Sequence, residues 1–446
     1  MTGALSITIV GGGASGILLA AHILKHGDRR VRVTIVEKRG RLGRGLAFSA
    51  EQPDHILNVP ARNMSAYVDQ PDDFRLWLRR RHPELPDDPW LFAPRKSYGE
   101  YLGELLRAAG SGESSDGRLT IIEKEAIAVR ERSGGVETEL ADGTIQVAQA
   151  VVLAVGHEEQ PARGNGLAVR AGSDADTALD PDATVMMLGS GLSMVDAWLT
   201  LAARNHRGRI LIVSRHGLLP LDNRPVEPIA IDAADVPFGT SMGYLMRWFR
   251  ELVAETEAAG GDWRSVVDGL RPHNQKLWQS WTPHARRVFL RHVRPLWNIH
   301  RHRLPLKLHD RLLDAIGTRQ VELIAGNFQG AVPQGSLVRA SIRRRGVANE
   351  ESIDIARVYD CGGVTLDVDK SSNPVVQSLI AAGSARADQQ RIGLDVTEKL
   401  NIVGADGQPS MRLFALGPLT RGQFFEIEAI PDIRRQAAEL ARELLE

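Results

Sequence analysis

Two glycine-rich turns, about 180 residues apart, contain the residues best suited to chemistry in this chain. In each, an apolar strand-like run ends in G-x-G: Ile7–Val10 runs into Gly11-Gly12-Gly13, and Val185–Leu188 runs into Gly189-Ser190-Gly191. Such a turn lets the backbone approach a pyrophosphate and opens a helix whose free amides face the phosphates. Two turns predict two bound dinucleotides, an arrangement typical of proteins that pass electrons between nucleotides.

The first turn carries the complete G-x-G-x-x-G pattern. Gly11 permits the bend, Gly13 the close approach of a pyrophosphate, and Gly16 the packing of helix on strand. Glu37 ends the next predicted strand, about 20 residues further on, where a carboxylate binds both ribose hydroxyls and repels a 2′-phosphate. The site therefore suits FAD or NAD and excludes NADP. Its predicted binding residues are Gly11, Gly13, Ser15, Gly16, Glu37 and Lys38.

The second turn departs from the pattern, because Met194 replaces the third glycine. The next predicted strand ends in Ser214-Arg215 instead of an acid, and a hydroxyl with a guanidinium suits a 2′-phosphate. This turn predicts NADPH in preference to NADH, and a degenerate unit without a ligand is the alternative. Its predicted binding residues are Gly189, Ser190, Gly191, Ser193, Met194, Ser214 and Arg215.

The elements around both turns alternate between strand and helix, which predicts an α/β chain of two Rossmann-like dinucleotide-binding domains. The simplest topology inserts the second domain into the first. We expect an FAD-binding domain over 1–165 and 350–446, and an NADPH-binding domain over 180–350 with a mostly helical insertion at 236–305.

The composition excludes several functional classes. Lys+Arg and Asp+Glu each count 55 in 446 residues, a balance that gives no support for binding nucleic acid or an anionic membrane. A single cysteine, Cys361, excludes an intrachain disulfide and a Cys-x-x-Cys redox pair. The sequence contains no recognisable secretory signal or bilayer-spanning apolar run, so the expected location is the cytoplasm.

Several stretches resemble the largely uncharacterised bacterial FAD/NAD(P)-binding flavoproteins, and the likeness runs nearly from end to end. These stretches are Gly43–Phe48, His55–Ser65, Asp72–Leu78, Pro94–Leu102, Gly189–Asp196, Ser214–Pro220, Phe289–Arg303 and Gly417–Gly422. The resemblance implies a two-dinucleotide flavoprotein similar in plan to class B flavin monooxygenases. Some relatives are thought to hydroxylate small nitrogenous compounds such as urate.

The carboxyl-terminal part departs from the wider flavoprotein pattern. Leu413–Gly417 matches the strand that usually ends in Gly-Asp, whose aspartate binds the ribityl chain, but Pro418 stands in that place. Another group must therefore hold the ribityl hydroxyls. Ile430 begins a terminal helix, either an ordinary one or one whose amides face the flavin pyrimidine. The further residues predicted to contact FAD are Gly43, Gly45, Asn58, Met64, Ser65, Gly156, Gly417, Phe424 and Ile430.

The segment Asn58–Asp69 is expected to pass closest to the isoalloxazine, with Asn58, Arg62 and Asp69 as candidate catalytic residues. Arg62 or Asp69 could tune flavin N5 or a flavin peroxide, but a loop that packs beneath the FAD explains the same residues. His300-x-His302 has no carboxylate or cysteine at ligand spacing, so no metal site is predicted. The Trp- and Arg-rich stretch around it has surface and capping roles or forms a pocket for an anionic or heteroaromatic ligand.

The sequence thus predicts an FAD-dependent, NADPH-using oxidoreductase with O₂ and a small molecule as reactants. The leading hypothesis is a monooxygenase that hydroxylates a nitrogenous or heteroaromatic substrate through a flavin C4a-hydroperoxide. A reductase or oxidase without oxygen transfer is one alternative. A non-catalytic redox sensor, supported by Met194, is another.

Overall fold

The computed structural model describes residues 5–49, 52, 54–111, 117–158, 163–164, 166–173, 176–362 and 367–446. The chain divides into two compact units. The first unit comprises Met1–Glu158, Pro272–Arg286 and Thr365–Glu446, and the second comprises Glu159–Arg271 and Arg287–Val364. The predicted domain boundary at residue 165 lies outside the described residues.

The strands lie at the following positions in chain order: β1 Ser6–Val10, β2 Arg32–Val36, β3 Leu119–Ile122, β4 Ala126–Arg132, β5 Gly135–Leu140, β6 Ile145–Ala148, β7 Ala150–Leu153, β8 Ala168–Val169, β9 Val185–Leu188, β10 Ile210–Ser214, β11 Asp222–Asn223, β12 Leu304–Pro305, β13 Val321–Gln334, β14 Leu337–Arg344, β15 Glu351–Ile355, β16 Arg357–Asp360, β17 Asn401–Val403 and β18 Pro409–Ala415.

The α-helices are α1 Ala14–His26, α2 Asp73–Arg81, α3 Arg95–Ser111, α4 Leu192–Ala203, α5 Met242–Ala258, α6 Trp263–Leu270, α7 Asn274–Ser280, α8 Pro283–Val288, α9 Arg294–Arg301, α10 Leu306–Gly317, α11 Pro374–Ala381 and α12 Ile430–Leu445. Short 3-10 turns lie at Ala61–Asn63, Arg271–His273, Val368–Lys370 and Gly417–Thr420, and a π-helical turn lies at Phe289–Val293. None of the described helices is long and apolar enough to cross a bilayer.

The first unit is built on a six-stranded sheet in the order β17-β18-β7-β1-β2-β3. All neighbours are parallel except the β17–β18 pair. Both faces of a parallel sheet are covered, which explains the unbroken apolar runs of β1, β2 and β7. Helix α1 packs against α3 and α12 on one face, while strands β4 and β5 and helix α11 contribute to a second core.

The second unit is built on a seven-stranded sheet in the order β15-β14-β13-β10-β9-β16-β8. The strands from β13 to β8 are parallel, and β13-β14-β15 form an antiparallel meander. Each unit therefore has a strand–glycine turn–helix motif entering the middle of a parallel sheet. This architecture confirms the predicted α/β fold with two Rossmann-like units.

The loop after the 3-10 turn Ala61–Asn63 is fixed by hydrogen bonds from distant helices. The buried Tyr101 hydroxyl accepts a hydrogen bond from the Ala66 amide at 3.0 Å and donates one to Asp73 Oδ2 at 2.5 Å. Arg434 Nη1 donates to Ser65 O at 2.9 Å. The neighbouring hydroxyl of Tyr98 is also buried but has no hydrogen-bond partner among the described residues.

This contrast between two buried tyrosines gives a prediction about stability. Tyr101→Phe leaves Ala66 N and Asp73 without their partner, so it should lower the free energy of unfolding by about 1–3 kcal/mol. Tyr98→Phe removes a hydroxyl that makes no bond, and it should leave that free energy unchanged or raise it by up to about 1 kcal/mol. Urea unfolding of both variants measures the difference, and equal losses would contradict the assigned contacts.

Candidate dinucleotide sites

The first glycine turn is shaped by two close backbone approaches. Gly11 has φ +110°, and a Cβ there would lie 2.4 Å from Ala154 O. A Cβ at position 16 would lie 2.0 Å from Gly11 O. Neither position has room for a methyl group, so both glycines are needed for α1 to start directly over the end of β1.

The space in front of α1, by contrast, is open. Among the described residues, a Cβ at Gly13 would have only Gly45 Cα within 4 Å, at 3.8 Å. Gly13 is also the N-cap residue, with no side chain capping the helix and no acidic residue in the first turn. The first amides of α1 therefore remain available to an anion, and the residues present fit the pyrophosphate of a dinucleotide.

Glu37 lies directly beside this turn. Its carboxylate accepts hydrogen bonds from the amides of Gly12 at 2.7 Å and Arg39 at 2.9 Å. A carboxylate has about four acceptor positions, so it can still bind ribose hydroxyls. Lys38 instead pairs with Glu125 at 3.0 Å. The loop that follows returns to the turn, with the Gly43 amide donating to Gly12 O at 2.8 Å.

The turn after β18 meets the first turn of α1. A Cβ at Gly417, where φ is +71°, would lie 2.6 Å from the Ser15 hydroxyl oxygen. The Gly417 amide donates to Oε1 of the buried Gln436 at 2.7 Å, and Gln436 Nε2 donates to Thr420 Oγ1 at 3.0 Å. Gln436, on α12, thus fixes the turn that contains Pro418.

Three other predicted FAD contacts lie in this carboxyl-terminal part or at the end of β7. Gly156 has φ +70°, and a Cβ there would have none of the described residues within 4 Å apart from its chain neighbours. Phe424 packs against the cores on both sides of the sheet, and the buried Ile430 begins α12. Unlike α1, helix α12 has an acidic residue, Asp432, in its first turn.

The second glycine turn reproduces the first. Gly189 has φ +110°, and a Cβ there would lie 2.8 Å from Cys361 O. Gly191 is the N-cap of α4, again without a side-chain cap or an acid in the first turn. A Cβ there would meet none of the residues that the structure describes within 4 Å. Ser193 is exposed on the first turn, while Met194 is fully buried in the core of this unit. The open amino end of α4 fits a second pyrophosphate.

The loop after β10 is held by a short chain of hydroxyl groups. Ser190 Oγ donates to Leu218 O at 2.6 Å and lies 2.9 Å from Ser214 Oγ. The Gly217 amide donates to Ser214 Oγ at 3.2 Å. Arg215 is exposed, and within the described part of the chain no carboxylate pairs with it. Ser214 therefore shapes the loop, and Arg215 is the cation available to a phosphate.

Two of the predicted catalytic residues, Asp69 and Arg62, contact other side chains of the first unit. Asp69 is exposed and pairs with Lys25 at 3.3 Å. Lys25 is near the end of α1, and a helix rises about 1.5 Å per residue, so this pair lies roughly 16 Å from the first residues of α1. The Arg62 guanidinium lies 3.5 Å from the centre of the Trp90 ring.

The other predicted residues of the segment Asn58–Asp69 mainly pack in the core or form hydrogen bonds within their own loop. Met64 is buried in the core of the first unit, and the Ser65 hydroxyl donates to Gln70 O at 2.5 Å. Asn58 is partly buried.

Sequence reasoning missed two groups of residues at the carboxyl edge of the first sheet. One is Gln436, which fixes the Gly417 turn. The other is the contact between His157 Nδ1 and Arg421 Nη2, at 3.1 Å. The only local signal was the placement of His157 directly after Gly156, because the partners are far apart in the chain.

The described residues contain no group of three His, Cys, Asp or Glu side chains that could hold a metal ion. Cys361 is buried, and this burial raises the pKa of its thiol to about 12. The thiol is therefore protonated at neutral pH and a poor nucleophile.

Comparison with known families confirms the prediction that the first unit contains a dinucleotide-binding domain. Residues 8–158 match a family model described as FAD-NAD(P)-binding. The matched range contains the first glycine turn, Glu37 and Gly156. No curated protein matches the chain in sequence.

Solved structures share the fold over nearly the whole chain. An ornithine N-hydroxylase from Kutzneria sp. 744, with reduced FAD, NADP⁺ and L-ornithine, has a TM-score of 0.66 at 12% identity and covers 98% of both chains. A cadaverine monooxygenase from Erwinia amylovora, bound to FAD, has a TM-score of 0.68 at 11% identity, covering 98% of this chain and 94% of its own.

A thioredoxin reductase from T. acidophilum also matches, with a TM-score of 0.53 at 13% identity, covering 98% of this chain and 97% of its own. At these identities the likeness establishes the fold and not the reaction.

Substitutions at Gly16 and at Gly13 should have different effects, the first on the stability of the protein and the second on its affinity for FAD. Gly16→Ala forces a methyl group against Gly11 O and should lower the free energy of unfolding by about 1–3 kcal/mol. Gly13→Ala meets only an ordinary contact and should change that free energy by at most about 0.5 kcal/mol. Because its methyl group enters the path of the pyrophosphate, Gly13→Ala should weaken FAD binding about tenfold or more.

Thermal or urea unfolding and FAD titration of both variants test this separation. If Gly13→Ala binds FAD as the wild type does, the pyrophosphate does not lie over this turn.

Proposed function

We propose that this chain is an FAD- and NADPH-dependent monooxygenase that hydroxylates a small nitrogenous substrate. The proposal rests on two helices, α1 and α4, that have no side-chain cap. Each begins at a glycine turn over a parallel sheet. Each supplies an anion site of the kind that binds a dinucleotide pyrophosphate. A chain that holds a flavin and a nicotinamide nucleotide is equipped for hydride transfer between them.

The chain's own residues have distinct tasks in this proposal. The first amides of α1 bind the FAD pyrophosphate, and Glu37 orients the adenosine ribose. The first amides of α4 bind the NADPH pyrophosphate, and Arg215 binds the 2′-phosphate bidentately. Asn58 and Arg62 are the proposed groups beside the isoalloxazine. Reduced FAD, when bound, supplies the electrons that activate dioxygen.

The class of substrate is proposed from the structural relatives. The ornithine N-hydroxylase and the cadaverine monooxygenase share this fold over almost their entire length, and their names specify substrates that carry a primary amine. A small compound with a terminal amine is therefore the first substrate class to test. A cytoplasmic location is proposed with it, because the reaction needs a supply of NADPH.

A reductase is the second candidate, and the fold of thioredoxin reductase favours it. The chemistry of the chain argues against a disulfide reductase, since Cys361 is the only cysteine and its thiol is buried. A chain with one cysteine cannot form the internal dithiol that relays electrons from flavin to a disulfide. Electron transfer to a small acceptor without oxygen transfer is the form of this alternative that the sequence permits.

Oxygen transfer can be tested directly with the full chain loaded with FAD. We expect NADPH to reduce the flavin and, with ornithine, lysine or cadaverine as probes, heavy-isotope-labelled dioxygen to place one labelled oxygen atom on the amine, detected by mass spectrometry. Flavin reduction with release of hydrogen peroxide and no label in any probe would instead indicate the reductase or oxidase. Absence of flavin reduction by either nicotinamide nucleotide would indicate the sensor.

The nucleotide preference gives a separate prediction. Arg215→Ala removes charge-assisted hydrogen bonds to the 2′-phosphate, so the Kd for NADPH should rise by about 10- to 100-fold, with about twofold or less for NADH. Arg209→Ala is the matched control, because Arg209 directly precedes the same strand at its opposite end and pairs with Glu322. An equal loss for both nucleotides in Arg215→Ala would contradict the assignment.

A further inference from the structure

A histidine, an arginine and a glutamate form a connected chain at the carboxyl edge of the first sheet. His157 follows Gly156 just after β7, and Arg421 and Glu428 lie in the segment between β18 and α12. Arg421 Nη2 lies 3.1 Å from His157 Nδ1, and Arg421 Nε lies 2.7 Å from Glu428 Oε1. Because β7 and β18 are neighbouring parallel strands, their carboxyl ends bring these residues together.

The contact with Arg421 fixes the tautomer of His157. A guanidinium is always protonated and has no acceptor, so Nδ1 must present its lone pair to Nη2 and the ring proton must sit on Nε2. Burial lowers the pKa of His157 below its ordinary value, and the ring is neutral at neutral pH. His157 is thus a hydrogen-bond donor at Nε2, and Nδ1 is not free to act as a base.

The segment that carries Arg421 is itself firmly held. Trp278, fully buried, donates from Nε1 to Gly422 O at 2.8 Å and stacks on Phe425 with ring centres 4.8 Å apart. Asn274 Nδ2 donates to Glu426 Oε2 at 2.9 Å, and Glu426 has the left-handed φ of +62°. These contacts keep Arg421 in place, so the orientation of the imidazole is preorganised.

The order of the strands in the first sheet indicates which part of a bound dinucleotide would lie near His157. Glu37 follows β2, Gly11 follows β1, Gly156 follows β7 and Gly417 follows β18, and the sheet order is β2-β1-β7-β18. Neighbouring strands lie about 4.8 Å apart. With the adenosine ribose held at β2 and the pyrophosphate at β1, the remaining half of a bound FAD would lie toward β7 and β18, where His157 lies.

The surroundings of His157 leave its donor available. Apart from its chain neighbours, no described residue would lie within 4 Å of a Cβ at Gly156, directly beside His157. His157 is only partly buried, and the described residues provide no hydrogen-bond partner for Nε2. An oriented N–H next to an arginine, with no partner among the described residues, is suited to an oxygen acceptor.

We propose that His157 donates a hydrogen bond from Nε2 to an oxygen atom of the ribityl–isoalloxazine half of FAD, with Arg421 as the positioning residue that fixes the ring. The inference rests on the proposed FAD site at the first turn. It gives the chain a polar contact in the region where Pro418 has no side-chain hydrogen-bonding group.

A comparison of FAD with ADP isolates this contact, because ADP contains the adenosine and pyrophosphate half alone. In the full chain stripped of flavin, His157→Leu should raise the Kd for FAD by about 3- to 10-fold, the loss of one hydrogen bond, and leave the Kd for ADP within about twofold. His157→Gln keeps a side-chain N–H and should recover most of the FAD affinity. His26→Leu, at the exposed far end of α1, is the control and should change neither value.

The reduction potential of bound FAD distinguishes the two kinds of acceptor. A shift in His157→Leu assigns the hydrogen bond to a ring carbonyl, and an unchanged potential assigns it to a ribityl hydroxyl. An unchanged Kd for FAD in His157→Leu would overturn the proposal, as would equal losses for FAD and ADP. A folded wild-type chain that binds FAD no better than ADP would instead overturn the FAD site itself.

Discussion

The close approach of helix α1 to strand β1 is the constraint on which the first unit depends. At position 16 even a methyl group would lie 2.0 Å from Gly11 O, so the helix can start this near the strand only if that residue is glycine. The consequence is a helix whose amino end has no cap and faces open space at the carboxyl edge of the sheet. Glu37, the Gly43 loop and the Gly417 turn all close around that end.

The second unit also has an uncapped helix at a glycine turn, although Met194 stands in place of the third glycine. Gly189 adopts the φ of Gly11, and both glycines pack against a carbonyl oxygen that follows the neighbouring strand. Met194, which breaks the sequence pattern, is accommodated in the apolar core, and α4 still begins without a cap. The missing third glycine, the main support for a non-catalytic sensor, therefore leaves the anion site of α4 geometrically intact.

The turns and the fold class could be predicted from sequence because their signals are local. Apolar strands, G-x-G and the acid of Glu37 follow one another within a single strand–helix–strand unit. The pairing of His157 with Arg421 depends instead on the parallel pairing of β7 with β18, which no local pattern encodes. In the segment Asn58–Asp69 the residue types suited flavin chemistry. Tertiary contacts use Ser65 to shape its loop and Asp69 to pair with Lys25, roles that spacing alone does not distinguish.

The proposed function depends on electron transfer from NADPH to FAD when one chain holds both nucleotides. An anaerobic titration of the FAD-loaded chain with NADPH, followed by flavin absorbance, tests it most directly. We expect stoichiometric bleaching, with one NADPH consumed per bound flavin and a much weaker response to NADH. A flavin that stays oxidised in the presence of excess NADPH, or a chain that retains no FAD, would contradict it.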